Sequence, residues 1–223
     1  MKSVMCITGG AGALGRGIAA CFAKKYQVII LDVDEKVLSI TAEKLDVDCQ
    51  VCDVTDAASV SNAISYVYKK YRQIDCLINA AGIYIDGEIE KNDPELMKKV
   101  VEVNSFGPMN MCHYVVEEMK KQKSGTILNI NSTAGLHPKA LNSVYHASKW
   151  ALTGFTQSLQ LELAEFGIKV TDISPGLMNT KFTKDSEIDL SKAVDIHEVI
   201  RAIEFVLSYD KDTYIPEIII KHL

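Results

Sequence analysis

The chain has 223 residues, of which 48% are hydrophobic, enough for the core of one α/β domain and too many for a disordered chain. A formal net charge of −5 argues against a broad nucleic-acid-binding surface. No apolar run approaches the roughly 20 residues that a membrane-spanning helix needs, so we expect no membrane partner.

Taken in chain order, short apolar strands alternate with amphipathic helices. The first strand, residues 3–8, runs straight into a glycine turn, so we expect no cleavable signal peptide and a cytoplasmic location. Further strands, some with their exit loops, are predicted at 27–31, 49–54, 74–82, 125–132, 168–176 and 216–222. Helices are predicted near 14–25, 35–45, 56–70, 93–122, 142–166 and 196–208.

This alternation predicts one α/β domain over residues 1–223, with a doubly wound parallel sheet of about seven strands and helices on both faces. Apolar runs such as residues 28–31 fit strands that are buried from both sides. In such a fold, ligands bind at the carboxyl ends of the strands. No linker, repeat or low-complexity segment interrupts the pattern.

The turn after the first strand is rich in glycine, and Gly10, Gly12 and Gly15 match GxGxxG. Glycines there let the backbone approach a pyrophosphate at a helix N-terminus, where free N–H groups favour an anion. The match alone is a weak signal, because a tight turn that packs a helix on a strand has the same composition.

Asp32 closes the second strand, where an acid would hydrogen-bond the adenosine ribose hydroxyls and repel a 2′-phosphate. The residues that follow, Val33, Asp34 and Glu35, bring no positive charge. We therefore predict NAD rather than NADP as the cofactor. The alternative role for an acid at a strand end, a helix cap, suits Asp34 better than Asp32.

The chain has six cysteines, two of which, Cys49 and Cys52, form a CxxC on a predicted strand. A spacing of three places them on opposite faces of that strand, and no second Cys or His pair follows nearby. We therefore expect no zinc site and reduced thiols.

Tyr145 and Lys149 lie four residues apart on a predicted helix and therefore on one face. Tyrosine loses its proton near pH 10, so an acid–base role requires a neighbour that stabilises the phenolate. The pair could equally be a packed aromatic and a solvated lysine, and the spacing alone favours that interpretation.

Read together, these motifs resemble the short-chain dehydrogenase/reductase family and its Rossmann fold. Thr8, Gly9 and Gly15 match the family's TGxxxGxG, although Ala13 stands at the usual middle glycine, where Gly12 could keep the backbone flexible. The resemblance continues in order through CDVTD (52–56), NAAG (79–82), VNSFG (103–107), NINSTAG (129–135), YHASK (145–149) and SPGLMNT (174–180).

The resemblance implies specific site residues. The catalytic set is Asn104, Ser132, Tyr145 and Lys149. The cofactor-binding set is Gly9, Gly12, Leu14, Gly15, Asp32, Val33, Asp53, Val54, Asn79, Ala80, Gly82, Tyr145, Lys149, Pro175, Gly176, Leu177 and Thr180.

The implied reaction is hydride transfer between nicotinamide and a secondary alcohol or carbonyl, with Tyr145 as general acid/base. Ser132 would bind the substrate oxygen beside it. Lys149 would lower the pKa of Tyr145 by its charge and bind the nicotinamide ribose. Asn104 would hold a water that links Lys149 to solvent; its alternative role is to cap or bend a helix.

The identity of the small-molecule substrate is less well defined. His137, Lys139, Asn142, Tyr84 and Asp86 lie in predicted border loops and suggest a polar alcohol or carbonyl. The segment 181–195, which should cover the substrate, is short and polar. A 3-oxoacyl-carrier-protein reductase is a second possibility, disfavoured by Asp32. A non-catalytic dinucleotide sensor is a third, and it could have lost Ser132, Tyr145 or Lys149.

The resemblance also implies a homodimer or homotetramer that pairs through the helices near 93–122 and 142–166. An apolar stripe on the second helix could form that contact or could be internal core; it comprises Leu152, Phe155, Leu159 and Leu163.

Overall fold

A computed structural model describes residues 2–180, 190–210 and 212–223. Within these residues, seven strands form one sheet in the order β3-β2-β1-β4-β5-β6-β7, and every neighbouring pair is parallel. The strands are β1 (Val4–Thr8), β2 (Gln27–Asp32), β3 (Asp48–Val51), β4 (Cys76–Asn79), β5 (Gly125–Ile130), β6 (Ile168–Pro175) and β7 (Glu217–Ile220).

Helices connect the strands and cover both faces of the sheet. They are α1 (Ala13–Phe22), α2 (Glu35–Leu45), α3 (Ala57–Tyr71), α4 (Pro94–Val101), α5 (Gly107–Gln122), α6 (Ser143–Leu163) and α7 (Ile196–Leu207). Four helices begin at an aspartate whose carboxylate accepts a hydrogen bond from a backbone N–H of the first turn, as an N-cap does. These caps are Asp34, Asp56, Asp93 and Asp195.

The core has two layers, one on each face of the sheet. On β2, Ile29 and Leu31 pack in the layer that holds residues of α3, α5 and α6. Val28 and Ile30 point the other way, into the layer with residues of α1, α2 and α7. Because both faces are buried, successive residues are all apolar, and the predicted doubly wound α/β fold is confirmed.

One predicted helix, residues 93–122, is interrupted. A π-helical segment, Glu102–Phe106, separates α4 from α5, and the Gly107 N–H donates to the Glu102 carbonyl five residues back. Close packing requires glycine at the end of this segment, since a Cβ on Gly107 would lie 2.7 Å from Val54 Cγ2. Such π segments are frequent at functional sites, and this one carries Asn104.

The third strand is shorter than the predicted 49–54 and ends at Val51. Beyond it, the chain turns because Asp53 Oδ1 accepts hydrogen bonds from the Thr55 N–H (2.9 Å) and hydroxyl (2.7 Å). Cys49 and Cys52 pack on opposite core layers, as predicted, and all six cysteines are free thiols.

The strand order reverses between β1 and β4, and the loops after these two strands therefore flank a crevice at the carboxyl edge of the sheet. Within the described ranges, no helix combines the length and apolar character needed to cross a bilayer.

Candidate active site

The turn between β1 and α1 is very tight. Gly9 has a φ of +69°, and a Cβ on Gly15 would lie 2.2 Å from the Gly9 carbonyl oxygen. α1 begins after Gly12 with no side-chain cap and no acid in its first turn, so its N–H groups are open to an anion. This turn has the space and the polarity that a pyrophosphate requires.

Gly12 was expected to supply backbone flexibility because Ala13 replaces the usual glycine, and its conformation does not require this. Its φ of −73° and ψ of 166° are open to any residue, so the turn does not depend on glycine flexibility there. Ala13 is the first residue of α1. Leu14 is buried and anchors the helix in the core.

Asp32 lies at the end of β2, beside the glycine turn. Its Oδ2 accepts from the Ala11 N–H at 2.9 Å and its Oδ1 from the Asp34 N–H at 3.1 Å. Val33 follows with 60% of its surface exposed. The carboxylate is thus fixed at the edge of the crevice and remains partly accessible.

Thr8 joins the two sides of the crevice. Its hydroxyl accepts from the N–H groups of Ala80 and Ala81, both at 3.1 Å, and so ties the loop after β4 to the end of β1. Asn79 is buried and donates to Asn129 Oδ1 at 2.9 Å. Gly82 lies against Asn104, because a Cβ there would be 3.3 Å from Asn104 Oδ1.

The loop after β3 is held from α5. Asn110 is buried and donates to the Val54 carbonyl at 2.9 Å. Asp53 is exposed, and its N–H donates to the Ser59 hydroxyl at 3.0 Å. Asn110 was not among the predicted site residues.

Ser132, Tyr145 and Lys149 come together where β5 ends and α6 begins. Ser132 Oγ accepts from the Ala134 N–H at 3.1 Å, which starts a short 3-10 turn, Thr133–Gly135. Lys149 Nζ donates to the Ile130 carbonyl at 3.0 Å and lies 5.9 Å from the centroid of the Tyr145 ring. The sequence placed these three residues correctly on a strand end and one helix face.

Burial dominates the acid–base properties of the pair. It raises the pKa of the Tyr145 phenol to about 12, with the Ser132 hydrogen bond acting against the shift. It lowers the pKa of the Lys149 ammonium to about 8, opposed by the negative charge of Asp172. The net shift of the Tyr145 pKa is thus upward, opposite to the direction predicted from the Lys149 charge, because desolvation of the phenol is its largest cause.

Asn104 acts as a clamp between two segments. Its Oδ1 accepts from the Ile83 N–H at 2.8 Å, while its Nδ2 donates to the Ile83 carbonyl at 2.8 Å and to Ser148 Oγ at 3.0 Å. Ser148 in turn donates to the Tyr145 carbonyl at 2.7 Å. The side chain thus ties the β4 loop to the helix of Tyr145, and its water relay stays a prediction.

Two loops border Tyr145. The Tyr84 ring meets the Tyr145 ring edge-on, with centroids 4.9 Å apart. Asn142 Nδ2 donates to the Tyr84 hydroxyl at 2.8 Å. His137 and Lys139 are exposed on the second loop.

The loop after β6 closes the site beside β7. The Gly176 N–H donates to the Ile220 carbonyl at 2.8 Å, and the Leu177 carbonyl accepts from Val194 N–H at 2.7 Å. Pro175 and Thr180 are buried. Of the predicted substrate-covering segment, 181–195, residues 181–189 lie outside the described residues.

A buried polar layer beneath α6 was missed by sequence reasoning. Asn129 lies on β5 and Asn131 follows two residues later, just past the strand end, while Thr153 and Thr156 follow Lys149 at helical spacing. Asn129 donates to Thr156 Oγ1 at 2.8 Å. These periodicities were the signal that could have revealed the layer; its members are Asn129, Asn131, Thr153, Thr156, Asp172 and Ser174.

The apolar stripe on α6 is internal core. Leu152, Leu159 and Leu163 are buried, and Phe155 packs against the same layer. Apolar side chains that remain exposed on α4, α6 and the π segment are Leu96, Val101, Phe106, Trp150 and Leu161.

Comparison with known proteins bears on this geometry. A family model described as short chain dehydrogenase matches residues 3–191. An uncharacterized oxidoreductase of Staphylococcus saprophyticus is 29% identical, over 98% of this chain and 96% of its own. The human 3-oxoacyl-[acyl-carrier-protein] reductase is 31% identical, over 93% of this chain and 92% of its own. A crystal structure of an actinorhodin polyketide ketoreductase with NADPH shares the fold, with a TM-score of 0.91 at 24% identity over 99% of this chain and 96% of that one.

Proposed function

The chain belongs to the short-chain dehydrogenase family, an oxidoreductase family that uses NAD(P) and acts on CH–OH and C=O groups, and we propose that Tyr145 is the proton donor and acceptor of its reaction. The observation that carries this proposal is the convergence of Ser132, Tyr145 and Lys149 at one crevice edge. A sensor that only binds dinucleotide could have lost Ser132, Tyr145 or Lys149, and all three are present.

The proton chemistry follows from the surroundings of Tyr145. A pKa of about 12 keeps the phenol protonated at neutral pH, so Tyr145 can give its proton to a carbonyl oxygen held by Ser132. In the oxidative direction Tyr145 must first lose its own proton to solvent, because only the phenolate can take the proton of the alcohol, and the Lys149 charge stabilises that phenolate. Asn104 keeps the helix in place through Ser148 and, we propose, holds the water that carries the proton outward.

The residues around the crevice suit a nicotinamide dinucleotide, which would supply the hydride or accept it when bound. The glycine turn and uncapped α1 would hold the pyrophosphate, and Asp32 the adenosine ribose. Asp53 and Val54 would meet the adenine. Ala80, Gly82, Lys149 and the loop from Pro175 to Thr180 would border the nicotinamide end.

We propose NAD as the preferred cofactor. The Asp32 carboxylate is held at the crevice by the Ala11 N–H, and a ribose 2′-phosphate would meet its negative charge. The next residues, Val33 and Asp34, offer no cation in compensation. The ketoreductase that shares this fold was solved with NADPH, so cofactor choice is an informative test.

The substrate we propose is a small polar alcohol or carbonyl. The border of the site has hydrogen-bonding groups on two loops: Tyr84 and Asp86 on one, and His137, Lys139 and Asn142 on the other. A 3-oxoacyl-carrier-protein reductase is the second candidate, favoured by the 31% identity with the human enzyme of that name.

We further propose a cytoplasmic homodimer or homotetramer. The six free thiols suit a reducing compartment. Exposed Val101, Phe106 and Trp150 leave apolar surface on the helices expected to pair.

The test of function is a panel of alcohols and carbonyls, including an acyl-carrier-linked 3-oxoacyl substrate. Turnover is followed by the absorbance of reduced nicotinamide, with NAD(H) and NADP(H) in parallel. Cofactor-dependent turnover of a polar member supports the proposal. Turnover of long aliphatic alcohols alone would refute the polar substrate class.

A further inference from the structure

A buried carboxylate lies beneath the catalytic side chains. Asp172 on β6 is 3% exposed and faces the layer that contains α6. Both its oxygens accept hydrogen bonds, Oδ1 from the Ser174 hydroxyl at 2.7 Å and Oδ2 from Asn131 Nδ2 at 2.7 Å. Burial raises the pKa of the Asp172 carboxyl, and these two donors, together with the charge of Lys149, act against that shift and favour the ionised carboxylate.

Asn131 links this carboxylate to α6. Its Nδ2 also donates to Thr153 Oγ1 at 2.8 Å, and the Thr153 hydroxyl lies 3.1 Å from the Lys149 carbonyl. Both amide hydrogens are thus used, whereas Asn131 Oδ1 is buried without a partner. The Asn131 amide takes the orientation that leaves its Oδ1 unpaired because the hydrogen bond from its Nδ2 to the charged Asp172 carboxylate is stronger than one to a neutral group.

The backbone connects the same network to the catalytic serine. Asn131 immediately precedes Ser132, and its N–H donates to the Ile173 carbonyl at 2.8 Å. Lys149 Nζ donates to the carbonyl of Ile130, the residue before Asn131. Lys149 and Ser132 are therefore both attached to the strand end that Asp172 holds.

Few titratable or charged groups face Lys149. Tyr145 lies on its own helix, Asp172 acts on it from β6, and Tyr84 of the β4 loop reaches Tyr145. On the α4 side, Lys98 and Glu102 pair with each other at 3.7 Å near the surface. Among the described residues, Asp172 is the carboxylate whose charge raises the pKa of Lys149 against burial, and it does so without a direct ion pair within 4.0 Å.

We propose that Asp172 is a positioning residue, which serves as the buried counter-ion of Lys149 and, through Asn131, anchors the strand end that carries Ser132. This inference rests on the proposed role of Lys149 in proton transfer. None of the motifs that identified the site requires an acid at position 172 of β6; these motifs are the glycine turn, YHASK (145–149) and SPGLMNT (174–180).

The direct test is the titration of Lys149 in the full chain without substrate. Protein labelled with 13C in lysine side chains is titrated by NMR, and the Lys149 resonance is assigned by its loss in Lys149→Met. Asp172→Asn, which keeps the shape and removes the charge, should lower the Lys149 midpoint by about one pH unit or more. Ser174→Ala keeps the charge and is the matched control, expected to leave the midpoint within about 0.3 units. An unchanged midpoint in Asp172→Asn overturns the proposal.

A reciprocal measurement covers the case in which Asp172→Asn does not fold. In Lys149→Met, the Asp172 carboxyl resonance should titrate at higher pH than in wild type, because its counter-ion is gone; an unchanged value contradicts the pairing. In carbonyl reduction, the rate should begin to fall at a lower alkaline pH in Asp172→Asn than in wild type, because Lys149 loses its proton at lower pH. The titrations need no substrate, so they can be interpreted even if the proposed function is wrong. If turnover depends on Tyr145 but neither titration midpoint changes, this inference is refuted and the proposed function stands.

Discussion

The ring of Tyr84 packs edge-on against the ring of Tyr145, with centroids 4.9 Å apart and planes inclined by 71°. The Tyr84 hydroxyl accepts a hydrogen bond from Asn142 at the start of α6, so the border loop contacts the Tyr145 ring from outside the helix. The proposed proton donor is therefore positioned in part by residues outside YHASK (145–149).

Tyr84→Ala should reduce kcat/KM by about 3- to 10-fold, because an edge-to-face aromatic contact is worth about 0.5–1.5 kcal/mol. Tyr84→Phe keeps the ring and loses only the hydroxyl, so it should retain most activity. Steady-state kinetics of the two variants decide the point. An equal fall in kcat/KM in both variants would show that the Tyr84 hydroxyl, and not its ring, supports activity.

Gly15→Ala should abolish cofactor binding or unfold the turn, since its Cβ would lie 2.2 Å from the Gly9 carbonyl oxygen. Gly154→Ala is the matched control, because a Cβ on this α6 glycine meets nothing within 4 Å. The Gly154→Ala control should bind NADH with normal affinity and gain about 0.5–1 kcal/mol of stability from helix propensity. NADH titration by fluorescence and urea denaturation measure the two effects. Normal NADH affinity in Gly15→Ala would contradict the assignment of the turn.

Asp32→Ser should shift the ratio of kcat/KM for NAD(H) over NADP(H) by at least about 10-fold toward NADP(H), because a charge that repels a 2′-phosphate is removed. Asp34→Ser is the control. Its carboxylate caps α2 at 3.0 Å from the Val37 N–H, so the change should alter stability slightly and not selectivity. A wild-type preference for NADP(H) would overturn the NAD assignment.

The pKa of Lys149, lowered by burial from 10.5 to about 8, has a consequence for stability. Between these values the unfolded chain binds a proton that the folded chain does not, so the free energy of unfolding rises as pH increases from about 8 towards 10. Relative to Lys149→Met, wild type should gain up to about 2 kcal/mol over this range. Urea denaturation of both proteins at several pH values measures the difference. Parallel curves would show that Lys149 is not desolvated as the structure indicates.

Much of the fold was predictable because the local and global patterns agree. Alternating strands and helices, with apolar runs such as Val28 to Leu31, predicted a doubly wound parallel sheet that binds ligands at its carboxyl edge; the structure adds that the switch point lies between β1 and β4. Ser132, Tyr145 and Lys149 were identified because their motifs keep a fixed order along the chain.

Other features depend on contacts that sequence periodicity does not encode. The π segment makes contacts with distant parts of the chain, from Gly107 to Val54 and from Asn104 to Ile83. Asp172 is one of several polar residues in β6, and only the strand register shows that it lies opposite Asn129 on β5. The direction of the Tyr145 pKa shift likewise depends on how deeply α6 is buried.

The most direct test of the account is the turnover of Tyr145→Phe beside wild type on any substrate found in the panel, with NADH affinity measured on the same samples. The phenylalanine ring preserves the packing against Tyr84 and removes only the transferable proton. We predict that kcat falls by about 100-fold or more, the scale of a lost general acid, while the NADH dissociation constant stays within about 2-fold. Near-normal turnover with intact NADH binding would contradict the assignment of Tyr145 as the proton donor.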